Sequence, residues 1–83
     1  MVTTSIADMI RIKLDAGTLA EDAPAKLWAG QGNGKTCSAC DQTIGPSQAE
    51  YETEYDDGRP PIRFHAACHA LWDEERQKHR EAR

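Results

Sequence analysis

Four side chains in this sequence have types and spacings that can meet at one point. Cys37 and Cys40 form a C-x-x-C pair, and His65 and Cys68 form an H-x-x-C pair. Two thiols three positions apart on a tight turn can both face one centre while backbone N–H groups point at the sulfurs. His65 and Cys68 stand one helical turn apart and can do the same. Three thiolates and an imidazole are a common tetrahedral donor set for Zn²⁺. Four protein ligands close the coordination sphere, so the chemistry expected is structural rather than catalytic. The expectation is one structural zinc held by Cys37, Cys40, His65 and Cys68. His69 competes for the fourth position, because His65 and His69 lie four apart and could bind together. His79 lies too far along the chain to share that centre.

The size of the chain points the same way. It has 83 residues and 9.2 kDa, enough for one small domain. Its large apolar side chains are few, with one Phe, two Trp, two Tyr and two Met. Domains this small need a staple such as a metal. Three cysteines are an odd number and argue against a disulfide framework. Asp8, Arg11 and Lys13 interrupt the N-terminal apolar residues, so no signal peptide is read there. No run approaches a membrane span. A cytoplasmic setting with no membrane partner is expected, where Cys spacing more often reports metal than disulfide. The net charge is -4, and the acidity is local. Asp41, Glu50, Glu52, Glu54, Asp56 and Asp57 crowd residues 37–64 against Arg59 and Arg63. The basic footprint usual in nucleic-acid binding is missing overall.

The elements that must position the four ligands can be read in order. Residues 5–16 form an amphipathic helix. Ser5 is its N-cap, Ile6, Met9, Ile10 and Leu14 share a face, and Gly17 stops it. Residues 17–35 are a linker, with a short helical turn after Pro24 in which Leu27 and Trp28 cover the core. Within it, Ala29 to Thr36 imitates a phosphate-binding loop, but no strand precedes it and Cys37 stands where the helix should begin. Its glycines are read instead as a turn into the metal knuckle. Residues 49–55 alternate Tyr51, Thr53 and Tyr55 against Glu50, Glu52 and Glu54, which is a half-buried strand. Asp56-Asp57-Gly58-Arg59 turns the chain, and Ile62 and Phe64 return it as a hairpin. Residues 65–83 are helical. The apolar half ends at Trp72, and residues 73–83 read as a polar extension that outruns the core.

At Phe64-His65-Ala66-Ala67-Cys68 the sequence resembles the segment that closes the first zinc module of LIM domains. With the Cys37–Cys40 knuckle, residues 36–72 look like a treble-clef zinc finger. The gap between the ligand pairs is longer than LIM modules usually have. The resemblance implies an α+β fold: zinc knuckle, β-hairpin and C-terminal helix, with the N-terminal helix added. It also implies protein docking rather than catalysis. The longer pattern, from IRIKLDAGTL through KLWAGQGNGKTCSAC to RFHAACHALWDEER, is similar to small bacterial proteins, which implies a single-domain cytoplasmic protein and brings no activity with it.

The functional expectation is therefore a non-enzymatic zinc-binding module whose partner is another protein, with no small-molecule substrate. A first alternative is a transcription-linked DNA- or RNA-binding protein using Arg76, Lys78, Arg80 and Arg83. A second is a zinc or redox sensor whose thiolates release metal on oxidation.

Overall fold

A computed structural model describes residues 5–82 as two helices and one three-stranded sheet. Helix α1 spans Ile6–Ala16, strand β1 Lys26–Gln31, strand β2 Ala49–Glu54, strand β3 Ile62–His65 and helix α2 Ala66–Glu81. The sheet is an antiparallel meander in the order β1-β2-β3. The long connection between β1 and β2 holds the Cys37–Cys40 turn, and the last residue of β3 runs directly into α2.

Helix α1 begins where Ser5 Oγ accepts a hydrogen bond from the Asp8 N–H, at 3.1 Å, which satisfies one of the donors a helix start leaves open. It ends at Gly17, whose φ of 76° suits glycine. Ile10 and Leu14 are buried, Met9 is half-buried, and Ile6 and Ile12 are exposed. The β2–β3 hairpin turns at Gly58, φ 88°, where the Asp57 carboxylate accepts the Arg59 N–H. Thr53, fully buried on β2, bridges to β3 by donating its hydroxyl to the Ile62 carbonyl at 3.1 Å.

The core lies between the two helices, the sheet and the Cys37–Cys40 turn. Its buried members are Ile10, Leu14, Leu19, Cys37, Ala39, Cys40, Ile44, Phe64, Cys68 and Trp72. Trp72 stacks on Phe64 with ring centroids 4.9 Å apart, and its indole N–H donates to the Ala20 carbonyl at 2.8 Å. Tyr55 donates its hydroxyl to the Asp22 carbonyl at 2.9 Å. These two bonds pin the irregular segment after α1 against α2 and the hairpin.

Two expectations are corrected. Residues 26–31 are strand, not a helical turn, and Leu27 and Trp28 are 47 % and 53 % exposed rather than covering the core. Tertiary pairing decides this: β1 is hydrogen-bonded along β2, from Lys26 opposite Glu54 to Gln31 opposite Ala49. Strand alternation then puts Leu27 and Trp28 on opposite faces of an edge strand. The polar half of α2 also does not stand clear of the fold. Glu75 is only 5 % exposed and accepts from Arg11 of α1 at 2.8 Å. His79 meets Asp15 at 2.9 Å and also Glu21. Charged side chains pack α2 on α1 through ion pairs, a pairing that apolar periodicity does not register. Arg83 lies outside the described residues.

Candidate metal centre

The Cys37–Cys40 turn is built by backbone hydrogen bonds. The Asp41 N–H donates to the Cys37 carbonyl at 3.0 Å, and the Cys37 N–H to the Gln42 carbonyl at 2.9 Å. Asp41 closes the turn at φ 66°, a left-handed conformation that Asp tolerates better than most residues. Thr36 and Thr43 bridge the two ends, and buried Ile44 fills the space beneath. On the other side of the site, β3 delivers His65 and the first turn of α2 delivers Cys68. The Ser38 N–H donates to the Arg63 carbonyl at 2.8 Å, which ties the turn to β3 directly.

These elements bring Cys37, Cys40, His65 and Cys68 together, with one ligand atom from each lying within 4.8 Å of the others. Cys40 Sγ is 3.4 Å and Cys68 Sγ 3.9 Å from His65 Nδ1. A tetrahedral zinc with ordinary Zn–S and Zn–N bonds has S···N edges of about 3.5 Å. The donor set and its spacing therefore fit one metal ion, held by three sulfurs and one ring nitrogen.

The two histidines part company here. His65 Nε2 lies 3.2 Å from the Thr43 carbonyl, so that nitrogen donates its proton and Nδ1 is left with its lone pair toward the sulfurs. His69 instead packs its ring against Tyr51 at 5.0 Å, Trp72 at 5.7 Å and Phe64 at 5.9 Å. Burial there disfavours the charged imidazolium and lowers its pKa. His79 is engaged with carboxylates far from the cluster.

Electrostatics suit a cation. Burial opposes ionisation of Cys37, but N–H groups of Cys40, His65 and Ala39, with the His65 side chain, bring its pKa down to about 7. Cys68 is pushed the other way, first by burial and then by the Cys37 and Cys40 sulfurs beside it. Thiolates this close repel one another, and a divalent cation between them removes that repulsion.

One participant was not anticipated from the sequence. Lys13 of α1 reaches the turn and donates to the Ser38 and Ala39 carbonyls at 2.9 and 3.1 Å, and pairs with Asp41 at 2.7 Å. The only trace in the sequence is a cation on the flank of an amphipathic helix, which is ordinarily just a solvated residue. Gly32 is a second. A Cβ there would lie 2.8 Å from Ile44 Cγ2 and would also meet the Gly45 carbonyl, so only glycine lets the entering chain pass this close. An open groove of about 680 Å³ borders the cluster, with Ile6, Met9 and Ala67 on its walls beside Cys40, His65 and Cys68. Among the described residues no helix is long and apolar enough to cross a membrane. The chain matches no family model, no curated protein and no solved structure.

Proposed function

We propose that this chain is a non-enzymatic zinc module that docks another protein, its fold held by a closed structural site. The observation that carries this reading is the Cys37, Cys40, His65 and Cys68 cluster, four protein donors gathered at one point. A metal with four protein ligands has no position left for a substrate or an activated water. The order of turn, hairpin and helix around the cluster is the order of a treble clef, which supports that assignment. The second and third ligand sources, β3 and α2, meet at a single peptide bond, so the metal fixes sheet and helix relative to each other.

The alternative of a nucleic-acid surface on α2 is less well supported. Arg76 bonds Asp73 at 2.6 Å and its guanidinium lies 5.3 Å over the Trp72 ring. Lys78 pairs with Glu74 at 2.9 Å and Glu75 at 3.5 Å. Side chains engaged in this way give little of the counterion release that drives phosphate binding.

Cobalt substitution tests the closed site. Cobalt bound by Cys37, Cys40, His65 and Cys68 should give the intense visible bands of tetrahedral coordination together with sulfur-to-metal charge transfer, at one equivalent per chain. Added azide should leave that spectrum unchanged. A spectrum that shifts with azide means an open coordination position and refutes the non-enzymatic reading.

A further inference from the structure

The sheet has two edges, and among the described residues only one of them is covered. On the β3 side the Cys37–Cys40 turn bonds to Arg63. On the other side β1 lies at the margin, and all six of its residues are exposed. The Gly32 N–H donates to the Gln48 carbonyl, which sets the alternation of the β1–β2 ladder. In that alternation Lys26, Trp28 and Gly30 bond to β2, and the N–H and C=O groups of Leu27, Ala29 and Gln31 point away from the sheet. Natural edges are usually guarded by charge, proline or a bulge. The guards here stand at one end, with Pro24, Lys26 and an Ala25 N–H that bonds the Glu54 carbonyl out of the ladder's alternation; from Leu27 to Gln31 the edge carries neither a charge nor a proline.

The side chains along the edge complement one another. Trp28 and Gly30 lie on the same face of β1, two residues apart. Trp28 is half exposed, and the space above Gly30 is open, with nothing within 4 Å of where a Cβ would stand. We propose that β1 pairs antiparallel with β1 of a second copy of this chain, about a two-fold axis at Ala29, to make a continuous six-stranded sheet. In that register Ala29 bonds to Ala29 of the partner copy, and Leu27 stands opposite Gln31. Each Trp28 ring then covers the Gly30 of the other copy, so one knob and one hole per chain satisfy each other twice. Lys26 alone is charged in β1 and falls at the end of the pairing opposite Gly32, so no like charges meet. The contact is small. A buried Trp covers roughly 150–250 Å², and only about half of Trp28 is still to be covered. The interface therefore stays well under the ~1,600 Å² of standard complexes, in the class of weak, concentration-dependent contacts.

Sedimentation equilibrium of the folded, zinc-loaded protein over a range up to about 1 mM tests the pairing. The expected result is a concentration-dependent dimer, with tryptophan emission moving to the blue as it forms. Trp72 is fully buried in each copy, so that shift belongs to Trp28. Ala29→Pro removes an N–H that β2 does not use, and Trp28→Ala removes the knob. Each should weaken the dimer at least ten-fold while the circular dichroism is unchanged. A chain that stays monomeric throughout overturns the proposal and leaves the edge to a strand from another protein. A dimer that both variants leave intact also overturns it, because it must form through another face.

Discussion

His65 is placed to ligate a metal because its other ring nitrogen is occupied. With Nε2 turned to the Thr43 carbonyl, Nδ1 faces Cys40 and Cys68. Ligand sets were legible in the sequence because C-x-x-C and H-x-x-C spacing is local. The choice between His65 and His69 was only half legible: the H-x-x-C spacing favoured His65, while His69, four residues on, stayed in competition. It depends on where β3 hands over to α2, and on three aromatic rings that converge on His69 from other parts of the chain. The two histidines should therefore separate cleanly by mutation. His65→Ala should weaken zinc binding by more than the roughly 10–100-fold usual for an outer partner, and His65→Cys should restore it. His69→Ala should retain one equivalent of zinc yet unfold at lower denaturant. Competition with a chromogenic chelator measures the first effect and urea unfolding the second. Zinc loss in His69→Ala with normal binding in His65→Ala would reverse the assignment.

Between elements, two kinds of contact hold the helices. The apolar kind was visible as periodicity: Ile10 and Leu14 recur on one face of α1, and both are buried. Ile10→Ala should cost about 2–5 kcal/mol, the usual range for truncating a fully buried aliphatic residue, read from urea unfolding of the zinc-loaded protein. Gly32→Ala acts between the knuckle and β1. Overpacking of this kind typically costs about 1–3 kcal/mol, and the same urea titration measures it. The ionic kind escaped sequence reading, because Arg11 and Glu75 are 64 positions apart and neither belongs to a hydrophobic pattern. The Arg11 guanidinium holds the Glu75 carboxyl below its ordinary pKa. At His79 the ring is flanked by Glu21 and Asp15, and hydrogen bonds to these carboxylates raise its pKa above 6.5. A raised pKa contributes stability that is fully present below the unfolded value and lost as pH rises through the folded one. His79→Ala should therefore destabilise most near pH ~6 and approach wild type near pH ~9. A gap that stays constant across this range would mean that the ring acts by packing alone. The strand β1 escaped for a related reason. Pro24 and a short apolar pair look like a helix start, and only its partner strand, more than twenty residues on, makes it extended.

For the whole molecule, the metal site and the hydrophobic core are one structure. Three of the ten residues in the buried cluster are Cys37, Cys40 and Cys68, and they pack with Ile10 and Leu14 of α1, Ile44 of the knuckle, and Phe64 and Trp72. A chain this short has little other apolar surface to bury, and small domains are marginal for that reason. Structural zinc contributes an apparent ~10–16 kcal/mol in finger peptides, as large as the whole stability of about 5–15 kcal/mol typical of folded domains. Removing zinc should therefore dissolve the entire fold rather than loosen the knuckle. Helix α1 contributes no ligand, but it should melt with the rest, since Ile10 and Leu14 lose the cluster they pack in and Lys13 loses the turn carbonyls it caps. Titrating chelator into the zinc-loaded Trp28→Phe variant, whose one remaining tryptophan is Trp72, while following circular dichroism at the helix band and tryptophan emission measures this. The two signals should fall together, and both should return when zinc is added back. If the helix band persists while the knuckle is stripped of metal, the α1–α2 pair stands on its own ion pairs and buried aliphatics. The zinc would then be a local clip on the turn rather than the centre of the fold.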